Sequence, residues 1–296
     1  MATSGTTTTE TAANFRAKFQ DASRRTNSLL CVGLDPDPTK IPTGVSTRAF
    51  LFGVVDATRD VAACYKPNIA FFEPDLGEGI TLLRDLIAYA GTETPVLLDA
   101  KRGDIGHTAE AYARAIFDSL GADAVTLNPY LGHDSLAPFL ARAERHSFLL
   151  CRTSNAGAGD LQDLQVEWQV EGQVAGQVAG HPLYERVAYL ANEWNEHGNV
   201  GLVVGATYPA EARRIREICP DLLFLMPGVG AQEGAVEEAV RAAVDAEGAG
   251  IMVNASRAVL YASPVGDPGC APGGWMDASR EAAIDLRDQI NQARAR

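Results

Sequence analysis

No stretch of this 296-residue chain approaches the roughly 20 consecutive apolar residues that cross a bilayer, so no spanning helix and no membrane partner are expected. Positive charge is scarce. Lys and Arg number 25 against 38 Asp and Glu, for a net charge of −13, and no Lys/Arg-rich tract occurs. A protein that grips a nucleic-acid backbone needs the opposite balance, so nucleic acid is excluded as a partner. The five cysteines are an odd number without CxxC spacing, and Cys31, Cys64 and Cys151 lie in apolar runs. Buried free thiols in a reducing cytoplasm fit that pattern better than a disulfide framework. The opening "MATSGTTTTETAA" has no apolar core of a secretory signal, so residues 1–12 are expected to form a frayed tail before a domain spanning 13–296. His107, His133, His146, His181 and His197 form no HExxH or paired-ligand spacing, and no GxGxxG follows the first apolar run. Neither a metal nor a nucleotide cofactor is expected.

What the chain does have is a series of short β-rich runs separated by amphipathic stretches. The runs are "LLCVGL" (29–34), "CYKPNI" (64–69), "PVLLDA" (95–100), "DAVTL" (123–127), "SFLLCR" (147–152), "VGLVVGA" (200–206), "LLFLMP" (222–227) and "GAGIMVN" (248–254). They are continuously apolar rather than alternating, as parallel strands covered on both faces should be. Stretches such as "TAEAYARAIFDSLG" and "YPAEARRIREICP" supply the crossover helices, the second closed by a proline. Eight such units predict an α/β fold of the (β/α)8 type, a single-domain TIM barrel. Residues 156–187, containing "QVEGQVAGQVAG", are too long for an ordinary βα connection and are read as an excursion over the barrel mouth, with a disordered insertion as the alternative.

Polar residues gather where these runs end. Asp35 closes the first, Lys66 the second, and Asp99 and Lys101 the third. Asp104 lies just beyond, Ser154 follows the fifth and Arg257 the eighth. One charged strand end is ordinarily a structural ion pair. Several at the C-terminal end of a barrel, where loops build active sites, read as a catalytic centre. Period-two alternation would put Asp99 and Lys101 on one side of their strand, with Ala100 on the other. A second cluster combines "MPGVGAQEG" after the seventh strand with "NASRAVLYA" after the eighth. Gly228 and Gly230 would let backbone N–H groups approach an anion, and Arg257 adds a fork of donors. Those two loops are the usual phosphate site of this barrel, so a phosphate monoester is the expected ligand.

Taken together, "CVGLDPDP", "KPNIAFFE", "DAKRGD", "IGHTA", "CRTSN", "GLVVGATYP", "PGVGAQEG" and "NASRAVLYAS" carry a resemblance that runs from about Leu29 to Ser263. The sequence resembles the orotidine 5′-phosphate decarboxylases, most of all their longer bacterial subfamily. One departure is Ala156, where the family pattern leads one to expect proline. The resemblance implies cofactor-free decarboxylation of orotidine 5′-monophosphate to uridine 5′-monophosphate and CO2, in pyrimidine synthesis. It implies that Asp35 and Lys66 hold ribose hydroxyls, that Asp99 sits beside the departing carboxylate, and that Lys101 stabilises and protonates C6. Asp104, with Ile105 and Thr108, would reach into the neighbouring subunit of a homodimer whose active sites are shared. Ser154 would contact the pyrimidine, Gln232 would bridge base and phosphate, and Gly228, Gly230 and Arg257 would bind the phosphate.

Three other readings of the same residues stand beside this one. A Mg²⁺-dependent phosphosugar decarboxylase or synthase would share the DxKxxD spacing. An aldolase would use Lys101 or Lys66 as a Schiff-base nucleophile, although flanking carboxylates favour the ammonium over the free amine. A non-catalytic phosphometabolite-binding barrel would have no use for an intact Asp–Lys–Asp set.

Overall fold

The computed structural model describes residues 14–168, 180–228, 233–263 and 274–295. The tail expected over 1–12 lies outside them. In chain order the first half runs α1 (Phe15–Thr26), β1 (Leu30–Gly33), α2 (Thr47–Thr58), β2 (Cys64–Lys66), α3 (Glu78–Ala90), β3 (Leu97–Arg102), α4 (Gly106–Arg114), β4 (Ala124–Leu127), α5 (His133–Leu140) and β5 (His146–Arg152). The second half runs α6 (Gly159–Gln162), β6 (Gln165–Glu167), β7 (Gly180–Pro182), α7 (Leu183–Glu193), β8 (Val200–Val204), α8 (Pro209–Ile218), β9 (Leu223–Pro227), α9 (Glu233–Ala243), β10 (Ile251–Ala255), α10 (Arg257–Leu260) and α11 (Gly274–Arg294).

Eight of these strands form one parallel sheet in the order β2-β1-β10-β9-β8-β5-β4-β3. The two ends meet through bridges Tyr65↔Val96 and Asn68↔Asp99, which bring the sheet round into a barrel. Each strand lies beside its predecessor in the chain, so the expected (β/α)8 order is the observed one. Every residue of β1, β2, β4, β8 and β10 is buried, which is why those runs carry no polar alternation. Each Val, Leu or Ile so buried contributes roughly 1.5–3 kcal/mol.

Several strand limits differ from the apolar runs for local reasons. β2 ends at Lys66 rather than 69, because the Asn68 side chain accepts from Ala70 N–H and starts a 3-10 turn. β10 begins at Ile251 rather than 248. Gly248 and Gly250 both have φ in the left-handed region, and a Cβ at Gly250 would lie 2.6 Å from Asp245 Oδ2. β3 continues past residue 100 to Arg102. The excursion is shorter than 156–187, since 183–187 already belong to α7. Its described flanks pair as an antiparallel ribbon, Gln165–Glu167 against Gly180–Pro182, while residues 169–179 lie outside the described set.

α1 packs at the N-terminal end of the barrel strands. Phe15 N–H donates to Glu144 C=O, and Lys18 pairs with Asp123 at 3.0 Å. Beneath it His146, the first residue of β5, lies with its ring 5.1 Å from Phe15 and 4.8 Å from Phe148. Burial first, and the charge of Arg16 second, push its pKa down to about 3. The folded protein therefore keeps His146 neutral where the unfolded chain, titrating near 6.5, takes a proton. That stability is complete above pH 6.5 and is lost as pH falls towards 3. Between pH 7 and 5 the loss is about 2 kcal/mol. His146→Phe should remove that part of the acid sensitivity, as read by denaturant unfolding of both proteins at the two pH values. Equal pH dependence in parent and variant would mean that His146 is protonated within the fold.

Candidate active site

The strand ends converge on one buried carboxylate. Asp99, on β3, accepts at Oδ1 from Lys101 Nζ (2.6 Å) and Thr126 Oγ1 (2.8 Å). At Oδ2 it accepts from Lys66 Nζ (3.3 Å) and Asn68 Nδ2 (3.2 Å). Asp35, at the end of β1, accepts from Asn68 N–H (3.0 Å) and from Ser256 Oγ (2.7 Å). Gly33 is what lets Ser256 in: a Cβ there would stand 1.9 Å from Ser256 Oγ. Tyr261 completes the corner, its hydroxyl accepting from Asp37 N–H and donating to the Asp35 carbonyl.

Electrostatics keep these groups charged. Burial alone would lower the Lys66 pKa, but the carboxylates of Asp35 and Asp99 outweigh it and hold the ammonium above its ordinary value. Burial would likewise raise Asp99, and the charges of Lys66 and Lys101 override that and hold its carboxyl below the usual range. The result is a carboxylate fixed between two ammonium groups of different character. The Lys66 side chain is 4% exposed and serves the network, whereas that of Lys101 is 50% exposed and faces the mouth.

Lys101 reaches Asp99 by a route that strand alternation does not describe. The β3–β4 register jumps from Leu98↔Val125 to Arg102↔Leu127, so Asp99, Ala100 and Lys101 stand opposite Thr126 alone. Within that bulge Lys101 has φ +47°, in the left-handed region. For a side chain with a Cβ this costs roughly 1–2 kcal/mol. The period-two expectation is thus corrected: the contact is made by a bulge that turns the ammonium back over Asp99.

The remaining predicted residues fall into separate places. Asp104 accepts from Ile105 N–H at 2.8 Å and forms no ion pair with Lys101 of its own chain. Ile105 and Thr108 are exposed at the start of α4. Ser154 packs against the loops after β8 and β9, where a Cβ on Gly205 would stand 2.8 Å from its nitrogen and one on Gly228 would lie 3.5 Å from its side chain. Gly228 has φ +96°, a backbone conformation that glycine adopts without strain. Arg257 opens α10, is exposed, and makes no ion pair among the described residues, while its neighbour Ser256 ties that loop to Asp35. Gly230 and Gln232 lie outside the described residues. Among the described residues no group of three or more His, Cys, Asp or Glu could hold a metal ion. A cavity of about 1100 Å³ opens between the loops after β1 and β2, lined by Pro36, Arg48, Phe71, Phe72 and Glu78 among others. None of Lys66, Asp99 and Lys101 lines it.

The profile of the "Orotidine 5′-phosphate decarboxylase / HUMPS family" matches residues 28–267. The chain belongs to the orotidine 5′-phosphate decarboxylase family. It is 49% identical over 286 residues to the orotidine 5′-phosphate decarboxylase of Roseiflexus castenholzii, covering 95% of this chain and 98% of that one. With the orotidine 5′-phosphate decarboxylase of Cellvibrio japonicus it shares 48% identity over 95% of this chain and all of the other. Among solved structures, the Leishmania donovani OMP decarboxylase superposes with a TM-score of 0.79 at 38% identity, covering 96% of this chain and 99% of that one. Within this decarboxylase-family barrel, sequence reasoning missed Asn68, Thr126 and Ser256. Asn68 and Ser256 stood inside the motifs "KPNIAFFE" and "NASRAVLYAS" without a role of their own, and the only signal for Thr126 was its place in an apolar strand.

Proposed function

We propose that this chain decarboxylates orotidine 5′-monophosphate to uridine 5′-monophosphate and CO2, without a cofactor, in pyrimidine synthesis. The observation that carries the proposal is the Lys66–Asp99–Lys101 array, a buried carboxylate between a buried and a half-exposed ammonium, at the C-terminal strand ends of a chain belonging to this family. In this reading the C6 carboxylate of the substrate lies beside Asp99. The C6–carboxylate bond breaks, CO2 leaves, and the electron pair stays on C6. Lys101 stabilises that pair and then gives it a proton. Asp35 and Lys66 hold the ribose hydroxyls, Ser154 the pyrimidine, and Gln232 bridges base and phosphate. Gly228, Gly230 and Arg257 receive the phosphate.

Magnitudes decide which effect dominates. Two carboxylates about 4 Å apart repel by only about 4 kcal/mol at an effective dielectric near 20. Enzymes lower barriers by roughly 8–23 kcal/mol. Crowding by Asp99 is therefore secondary, and the larger contribution is a fixed ammonium aimed at the developing charge. Remote phosphate binding adds to it by holding the reactive arrangement.

We further propose a two-fold homodimer in which Asp104, Ile105 and Thr108 of one protomer enter the partner's site. Phe71, Ile105, Tyr130 and Leu131 are 48%, 58%, 78% and 49% exposed, and they belong to the successive loops after β2, β3 and β4. So much apolar surface on neighbouring loops supports a protein–protein contact there. No described helix is long and apolar enough to cross a membrane, and the four described cysteines are buried free thiols, which supports a cytoplasmic location.

The deciding assay is incubation with orotidine 5′-monophosphate under excess EDTA, following the loss of pyrimidine absorbance and the release of CO2. Turnover should survive chelation. If EDTA abolishes it and Mg²⁺ restores it, the Mg²⁺-dependent phosphosugar enzyme is the better reading. With no release of CO2 under either condition, decarboxylation of this substrate is refuted.

A further inference from the structure

Thr126 sits in the middle of β4, 1% exposed, and its hydroxyl uses its whole hydrogen-bonding capacity on the catalytic bulge. A threonine hydroxyl has one proton to give and two lone pairs to receive. The proton goes to Asp99 Oδ1 at 2.8 Å, and the lone pairs accept from Ala100 N–H at 3.0 Å and Lys101 N–H at 2.9 Å. One side chain thus contacts all three residues that the register jump leaves opposite it. In a regular parallel ladder consecutive N–H groups point to opposite neighbouring strands, so only one of these two would meet the backbone of β4. Here the hydroxyl takes both, and the backbone is free to bend. Lys101 can then remain in the left-handed region at φ +47° with its ammonium on Asp99.

We propose that Thr126 is a positioning residue for decarboxylation: its hydroxyl holds the three-residue bulge that sets the Lys101 ammonium against Asp99. This rests on the reading of Lys101 as the group that stabilises and protonates C6. Thr126 need not touch the substrate, since its atoms are spent on Asp99 and on the backbone. Its loss should therefore act on the chemical step and spare ground-state binding. A displacement of the ammonium by about 1 Å is enough to cost about 100-fold in rate.

The test compares Thr126→Val with Thr126→Ser. Valine keeps the shape but removes the donor and both acceptor sites, which makes it far from a neutral exchange. Serine keeps the hydroxyl. Thr126→Val should lower kcat by about 10- to 100-fold, while KM for orotidine 5′-monophosphate and the Kd for uridine 5′-monophosphate stay within about threefold. Thr126→Ser should recover kcat to within about threefold of the parent, because the same three bonds can form. If Thr126→Val turns over within threefold of the parent, or loses nucleotide affinity as much as it loses kcat, the positioning role is overturned. Should the valine variant fail to fold, Thr126→Ala and Thr126→Ser are read in its place, and equal losses in the two overturn the proposal. The parent is measured alongside: a parent that does not release CO2 refutes the proposed activity, whereas an active parent with an indifferent Thr126 refutes only the positioning role.

Discussion

Lys101→Ala should lose roughly ten-thousand-fold or more in kcat and leave the barrel folded. General acid catalysis contributes about 10²–10⁴-fold, and a preorganised charge facing the developing carbanion contributes about 10²–10³-fold. Both depend here on one ammonium group. The fold should tolerate its removal because the Lys101 side chain is half exposed, and an exposed partner of an ion pair contributes little to stability. Asp99 would remain bonded to Lys66, Asn68 and Thr126, so no buried carboxylate is left without a partner. Binding of uridine 5′-monophosphate should stay measurable, since Asp35, Ser154 and Arg257 are unchanged. Steady-state kinetics, product binding and thermal unfolding on the same preparation check all three points. Turnover within tenfold of the parent would remove Lys101 from the mechanism.

The barrel was readable in the sequence because its strands are buried on both faces. "LLCVG" and "GLVVG" are apolar without alternation, as parallel strands under helices are, and their regular alternation with amphipathic stretches made the count of eight legible. The charged strand ends were readable for the same reason, since Asp35, Lys66 and Asp99 interrupt apolar runs that had no other use for a charge. The geometry of β3 was not. "LLDAKR" fits period-two alternation, and nothing in those letters announces that three residues will face one. The bulge depends on a hydroxyl from β4, and in "DAVTL" Thr126 looks like any β-branched strand residue. Ser256 escaped notice in the same way, because its meaning lies in Gly33, a residue 223 positions earlier that leaves it room. The position of Asp104 is another matter: the loop fixes where it starts, not which chain's lysine it meets.

That last question has an experiment with a large and unambiguous outcome. Asp104 bonds to its own Ile105 N–H and makes no ion pair with its own Lys101, while the apolar residues around it are exposed on three adjacent loops. In the proposed dimer each site takes Lys101 from one chain and Asp104 from the other. Lys101→Ala and Asp104→Ala proteins, each nearly inactive alone, are mixed and allowed to exchange subunits. Random exchange in an isologous dimer makes about half of the dimers mixed. Each mixed dimer joins the intact Lys101 of one chain to the intact Asp104 of the other, while its second site carries both lesions. Activity should therefore rise from near zero to about a quarter of the parental value. If both residues serve their own chain, every site keeps one lesion and mixing restores nothing. A null result, with exchange verified by mass-tagged subunits, would place Asp104 in cis and reduce the dimer to a contact that does not complete the site.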